Sequence, residues 1–478
     1  MKTKNIIFLG LLAIMVTFTA CEDFLLQAPE LSQTTELTLS TYDGLQKATL
    51  GAYTPLYATS WYGRDFTVTA DLKGGNAKIS PQNSGRFRTE YLWNNTPTAS
   101  HGLWTTAYNL ISRANNVINV IDDGFEEVGV DQADLDALSA ECKFLRAVAH
   151  FDLARLFCQP YSAGSTSPGV PVILVSEIGK PSRDDLATVY DQIISDLEAA
   201  EAGLPEASSN AGTDATGWAT KYAAQAMLAR VYLYMEDWTN AAAYATTVIT
   251  DFPGRLYTAA EYTTWDLAGV WGTDAGVEVI MEVYGAEGNS SHGNWDVISY
   301  IMHPDGYGDV GASDDVRDLY ELADVRLNLF VNTADFPNDY WTLKYPGKSP
   351  DGNLREDNIV MIRLAEMYLI RAEAAIELGA AGDGDADLNM IRSNRGATDL
   401  TDATLADVMD ERTRELCFEG HKLFDLARTQ TSLVRVDYDG AVNQDISFPD
   451  YRWAMPIPQA ELDANENMVQ NAGYSSEN

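Results

Sequence analysis

Positive charge is scarce in this sequence. Its 478 residues include 32 Lys and Arg against 70 Asp and Glu, a formal net charge of −38. Such a surface repels nucleic-acid phosphates and anionic lipid, so a nucleic-acid role is excluded. Polyanionic substrates are disfavoured unless a local basic patch overrides the field, and neutral or cationic ligands fit better. Cysteine is scarce too. Beyond Cys21 only Cys142, Cys158 and Cys417 remain, an odd count that leaves at least one thiol unpaired. Cys142 and Cys158 read as lying on one helix about 24 Å apart, too far to bridge, so all three are expected as small buried hydrophobes. The five histidines show no metal-ligand spacing. A Gly-rich phosphate loop and a Gly-x-Ser-x-Gly elbow are both missing. No cofactor is expected.

Long apolar runs are missing except near the start. Ile6 to Val16 is too short to span a bilayer as a stable anchor. With Lys2 and Lys4 before it, residues 1–20 read as a targeting segment. Phe18-Thr19-Ala20-Cys21 resembles a bacterial lipobox, which makes Cys21 the lipidated first residue of the mature chain. The alternative is an ordinary secretory signal with an incidental cysteine. Glu22 and Asp23 resemble the acidic tag that sends some lipoproteins to the outer face of the outer membrane.

Apolar residues make up 46% of the chain, enough for two or three ordinary cores or one large repeat scaffold. Ala219–Pro253 carries the clearest pattern. Small residues (Ala226, Ala229, Ala241, Ala245) stand where two helices must approach, and large ones (Leu228, Tyr232, Trp238, Tyr244) fill the space between. This is the small/large code of a tetratricopeptide repeat about 34 residues long, except that Ala245 holds a usually large position. A lone hairpin cannot bury its apolar face, so others must stack on it.

Around that hairpin, helical spacing predicts helices over 41–57, 103–121, 134–157, 186–204, 358–378, 388–395 and 405–429. Residues 61–97 break the period and read as aromatic-rich loop with short strands. Residues 254–345 are also rich in Gly and aromatics, with a strand over 277–284 and a short helix over 314–326. A stretch this long without regular pattern, inside a helical scaffold, is usually functional. Asp383, Asp385 and Asp387 mimic the start of a calcium loop. Leu388 and Asn394 stand where Gly and Glu are needed, so a polar helix-connecting loop is expected.

Four long motifs, in order, resemble one family, the SusD/RagB-like outer-membrane nutrient-binding lipoproteins. They are Arg363-Leu364-Ala365-Glu366-Met367-Tyr368-Leu369-Ile370-Arg371-Ala372-Glu373-Ala374, then Leu388-Asn389-Met390-Ile391-Arg392 with Arg395-Gly396, then Glu411 through Leu426, and last Pro456-Ile457-Pro458-Gln459-Ala460-Glu461-Leu462 with Gln470 through Tyr474. Trp104, Tyr108, Ile111, Asn115, Leu145-Arg146-Ala147 and Gly169-Val170-Pro171 fit as well. The resemblance implies a mostly α fold, a tetratricopeptide-like helix-pair scaffold with a large irregular loop-rich ligand-binding region. It implies a surface protein, lipid-anchored in the outer membrane and facing the exterior. Such a protein binds oligosaccharide or polysaccharide, or in some members peptide, beside a SusC-like TonB-dependent transporter. It implies no enzyme activity. The expected division is signal peptide 1–20, tether 21–40 and one domain over 41–478. That domain comprises an N-terminal helical part (41–253), a loop-rich variable region (254–357) and a C-terminal helical part (358–478).

The charged residues of these motifs (Arg363, Glu366, Arg371, Glu373, Arg412, Arg414, Glu415, Glu419) sit inside apolar helices. They read as Arg–Glu pairs tying helices together rather than as acid/base catalysts. Ligand-binding candidates come from composition. Sugar rings pack their C–H faces on aromatics while polar neighbours bond the hydroxyls. Asp71, Arg86, Trp93 and Asn94 are the candidates from one segment, Trp271, Trp295 and Tyr300 from another, and Trp341 stands apart. A surface glycoside hydrolase is the rival, since it needs two carboxylates about 5–10 Å apart. Asp71, Asp266, Asp274, Glu278, Glu282 and Asp296 are available. A purely structural tetratricopeptide adaptor is a third reading.

Overall fold

The computed structural model describes residues 35–208, 215–262, 271–285, 296–347, 354 and 357–474. In chain order the main helices are α1 (Tyr42–Tyr53), α2 (Asp65–Gly74), α3 (Arg88–Tyr91), α4 (Leu103–Asp122), α5 (Gln132–Phe157), α6 (Leu186–Gly203), α7 (Lys221–Tyr234), α8 (Trp238–Asp251), α9 (Ile298–Met302), α10 (Leu364–Glu377), α11 (Ala381–Arg395), α12 (Leu405–Leu416) and α13 (Lys422–Arg428). Among the described residues six short strands pair two by two: β1 (Ala77–Ile79) with β3 (Val310–Ala312), β2 (Val279–Val283) with β6 (Ile359–Arg363), and β4 (Phe330–Val331) with β5 (Trp341–Thr342). The fold is mostly α.

Helices stack in series. α4 packs on α5, α5 on α6, α6 on α7, α7 on α8, α8 on α10 and α10 on α11. The α7–α8 hairpin shows why. Ala226, Ala229, Ala241 and Ala245 are fully buried where the two backbones meet, and Tyr232 stacks on Tyr244 at 5.8 Å between centroids. Thr220 and Asp237 cap the two starts, their side chains accepting from Ala223 N and Asn240 N.

Charged side chains rivet the stack. Arg146 on α5 donates to both carboxylate oxygens of Asp196 on α6 at 2.7 and 2.8 Å, and to Asn115 Oδ1 on α4 at 2.7 Å. Arg230 on α7 forks onto Glu366 on α10, and Arg428 on α13 onto Glu373 on α10. The motif charges are therefore paired within the scaffold. The densest knot joins the irregular middle to the C-terminal helices: buried Glu415 accepts from Arg326 at 2.7 Å, Arg363 at 2.6 Å and Arg395 at 2.7 Å. Burial alone would raise this carboxyl, but Arg395, Arg363 and Arg326 hold it well below the usual range.

Several expected elements differ. Residues 358–378 are not one helix. Ile359–Arg363 is a strand, because this β-branched run pairs antiparallel with Val279–Val283, and the helix starts at Leu364. Residues 65–74 are helix rather than loop. Every residue from Phe66 to Gly74 is buried, so the segment has no polar face and no helical period to read. The helix expected over 405–429 is broken after Leu416 by Phe418 and Gly420, both at positive φ. The acidic run 383–387 is part of α11 rather than a loop. Asp385 caps the Asp402 and Ala403 N–H groups and Asp387 pairs with Arg371. Cys142, Cys158 and Cys417 are buried free thiols. Among the described residues no helix is long and apolar enough to cross a membrane.

Candidate functional site

Two distant loops meet because β1 pairs with β3. The register Ala77↔Ala312 and Ile79↔Val310 sets residues 80–87 against 303–309. Ser80 Oγ donates to the Gly308 carbonyl, and Asn83 Nδ2 donates to the Asp309 carbonyl at 3.0 Å. Asp309 is fully buried and accepts from Ser84 N at 2.5 Å and Arg86 Nη1 at 2.9 Å. That carboxylate fixes Arg86, whose guanidinium lies 4.3 Å above the Tyr307 ring. Tyr300 stands 5.8 Å from Tyr307, tilted by 52°.

Phe87, next to Arg86 in the chain and at φ 59°, is half-buried with the Arg64 guanidinium 5.6 Å over its face. Arg64 donates to Asp65 at 2.6 Å and pairs with the Asp296 carboxylate, and Arg86 Nη2 approaches the same carboxylate at 3.9 Å. The Ile298 N–H donates to Gly63 O at 2.9 Å, which holds the start of α9 against the Arg64 turn. Tyr307 remains 38% exposed. The result is a face of three aromatic rings with two buttressed guanidiniums and a carboxylate between them. It offers C–H packing surface and fixed hydrogen-bonding groups together, the chemistry of a sugar platform.

Of the sequence candidates, Arg86 and Tyr300 are on this face. The others are not gathered there. Asp71 is fully buried on α2 and accepts from Phe418 N and Gly420 N at 2.9 Å each and from Asn76 at 3.0 Å. It holds the α12–α13 turn instead of facing solvent. Burial raises its carboxyl to about 6 against those three donors. Trp93 is buried with its ring edge-on to Trp453, and the Lys73 ammonium lies 3.7 Å above it. Trp341 is fully buried and donates to Gly308 O at 2.9 Å, so it supports the platform from below. Trp271 packs in a separate cluster with Tyr257 and Tyr262. Asn94 is exposed beside Asn443, whose amide donates to it at 3.1 Å. Trp295 and Cys21 lie outside the described residues. Sequence reasoning missed Tyr307, Phe87, Arg64 and Asp309 as members. Phe87 and Tyr307 lie in the aromatic-rich stretches 61–97 and 254–345 that the sequence marks as irregular, and only the strand pairing brings the two stretches together.

The carboxylates available to a hydrolase are mostly occupied. Glu278 is buried between Arg363 and Arg395. Glu282 is buried and accepts from Thr216, Ala275 and Asn358. Asp71 is consumed as above and Asp296 is paired. Asp274 is exposed, and Asp266 lies outside the described residues.

A second concavity of about 810 Å³ lies elsewhere, between α4 and the extended strap 171–181. Its aromatics turn their polar atoms inward: Trp104 Nε1 donates to Glu461 at 3.4 Å and Tyr108 Oη to Pro171 O at 2.9 Å. Its wall mixes aliphatic residues, among them the exposed Leu174 and Val175, with Ser112, Ser176, Glu177 and Lys180. Among the described residues it has no arginine fixed over a ring, as Arg86 is over Tyr307.

Residues 328–474 match a family model described as the SusD family, and residues 23–233 match one described as starch-binding associating with outer membrane. A SusD superfamily protein from Bacteroides vulgatus, solved as a crystal structure, is 31% identical with a TM-score of 0.81, covering 90% of this chain and 98% of its own. SusD-like protein P2 of Formosa agariphila is 26% identical over 99% of this chain and 100% of its own length. The starch-binding protein SusD of Bacteroides thetaiotaomicron is 35% identical over a shorter stretch, 25% of this chain and 22% of that protein.

Proposed function

The chain belongs to the SusD family, and from that premise we propose that it captures oligosaccharides at the cell surface and passes them to a SusC-like TonB-dependent transporter. The observation that carries the reading is the Arg86–Tyr307 face, with Tyr300 and Phe87 beside it. An exposed Tyr307 ring, backed by the half-buried Tyr300 and Phe87 and set beside arginines locked by Asp309 and Asp296, binds a polyol without reorganising. The family description as starch-binding and outer-membrane-associated, together with the starch-binding relative, supports both the ligand class and the location. In this reading residues 1–20 are removed, Cys21 carries the lipid, residues 21–40 tether the domain, and 254–357 supply the variable side of the site. Binding occurs without cleavage.

Affinity electrophoresis of the lipid-free protein through gels carrying different polysaccharides, with product analysis, tests it. Retardation without new reducing ends is the expected result. Cleavage products would replace capture with hydrolysis, and failure in every gel with a bound peptide instead would make it a peptide receptor. Loss of membrane association in Cys21→Ala checks the anchor, and co-purification with the transporter checks the partner.

A further inference from the structure

Beside the aromatic face the structure carries a smaller cavity of about 190 Å³, walled by Ile79, Arg88, Tyr91, Leu92, Asp439 and Gly440. We propose that this cavity takes an acidic sugar of the bound glycan, with the anionic substituent paired to Arg88. The inference rests on the glycan-capture reading and adds a substrate class to it.

The argument starts from charge. On a chain with more than two acidic residues for each basic one, arginines find partners easily. The two neighbouring arginines are already neutralised, Arg64 by Asp65 and Asp296, Arg86 by Asp309. Arg88 is different. Its side chain is exposed, and among the described residues no carboxylate pairs with it. A guanidinium presents a planar fork of donors that matches a carboxylate or sulfate edge, and such charge-assisted pairs are stronger than bonds to neutral hydroxyls.

The rest of the cavity suits a sugar rather than a bare anion. The single turn of α3 places Arg88, Tyr91 and Leu92 along one side, facing the 439–441 segment. Asp439 is held in place there by the Tyr91 hydroxyl, which donates to its Oδ1 at 3.0 Å. A carboxylate has about four lone-pair sites, so Asp439 retains capacity for sugar hydroxyl protons. Ile79 and Leu92 give an apolar wall. One cation, one acceptor and one apolar wall match a ring that carries one acid group and several hydroxyls. Asp439 would repel a multiply charged ligand, as would the field of the whole chain. The expected ligand is therefore sparsely acidic.

The cavity and the platform are built on the same two segments. Phe87 directly precedes Arg88, and Ile79 is paired with Val310, the neighbour of Asp309. A glycan lying on Tyr307 and Phe87 can set its next residue against Arg88.

Isothermal titration distinguishes the two readings. The probes are glucuronoxylan oligosaccharides carrying one uronic acid beside their carboxyl-reduced neutral counterparts, polygalacturonate oligosaccharides as the densely charged comparison, and a sulfated galactan. The expected result is tighter binding to an acidic member than to its reduced partner. Arg88→Gln should cancel that preference by a loss of about tenfold for the acidic member, worth one charge-assisted pair, and weaken the neutral partner far less. The wild-type preference should also weaken as salt rises. Preference for the sulfated galactan alone, lost in Arg88→Gln, assigns the anion as sulfate and supports the pairing. Equal binding of acidic and reduced members, or an acid preference that survives Arg88→Gln, overturns the inference and leaves capture standing. No binding to any probe by a protein that polysaccharide gels retard overturns the inference alone, and no binding by a folded protein that no gel retards overturns it together with the capture reading.

Discussion

The Arg86 guanidinium lies 4.3 Å above the Tyr307 ring and is held there by the buried carboxylate of Asp309. The two residues are 221 positions apart in the chain, yet each fixes the other's orientation at the edge of one exposed face. Stacking costs little freedom because Asp309 has already selected the arginine rotamer. A ring so fixed is a stronger anchor for a ligand than one free to turn.

Tyr307→Ala should therefore weaken glycan binding by about 2 kcal/mol, roughly thirtyfold, as aromatic anchors at binding surfaces do. Thermal stability should barely change, since the ring is 38% exposed. Titration of the preferred glycan and a melting curve on the same sample check both halves. Unchanged affinity would remove this face from the site.

Lys73 gives a pH prediction. Burial lowers its ammonium to about 7 from 10.5. Glu90 and Asp450 oppose that shift, and Arg452 and Arg435 reinforce it. Between those two values the unfolded chain holds a proton that the folded chain has lost, so this group makes stability rise with pH. Urea midpoints of wild type and Lys73→Met, compared at pH 7 and 9.5, should converge on the side of neutral Lys73. The variant's advantage should be largest at pH 7 and smaller at pH 9.5. A difference independent of pH would mean that Lys73 is charged throughout.

Glu415→Gln should be severely destabilising. The carboxylate answers three arginines, and its loss leaves Arg326, Arg363 and Arg395 short of buried negative charge. Removing one partner of such a cluster costs about 3–5 kcal/mol. Denaturant unfolding measures it, and a change below 1 kcal/mol, the range of exposed pairs, would show that the network relaxes.

Gly74→Ala tests the packing of α2 on α13. A Cβ there would stand 2.7 Å from Lys422 Cβ and 2.8 Å from Leu423 N, so the helices must part. Overpacking of this kind costs about 1–3 kcal/mol. A melting temperature equal to wild type would show that the contact is looser than it stands.

Thr404→Ala removes a capping box in which Thr404 and Asp407 satisfy each other's backbone N–H groups at the start of α12. The expected loss is about 1 kcal/mol, with ligand binding untouched because α12 lies in the scaffold. Thr404→Ser should recover most of it.

The sequence alone determined the scaffold. Helix pairs with alternating small and large faces leave a periodic trace, since each residue's environment follows from its neighbours three and four positions away. Ala226, Ala229, Ala241 and Ala245 were legible for that reason, as was the pairing of motif charges with one another. The site was legible only in outline. Asp71 and Trp93 had the right composition and lay in the right segment, and Trp341 stood apart, but all three are buried. Composition cannot tell an aromatic that supports a loop from one that faces out of it. Arg86, Tyr307 and Asp309 form one surface because β1 pairs with β3 in a particular register. That register depends on contacts between residues more than two hundred positions apart, and no local pattern encodes it. The same holds for α2, which is buried on every side and so has no period to read, and for Ile359–Arg363, where the partner strand overrides the helical run that follows it.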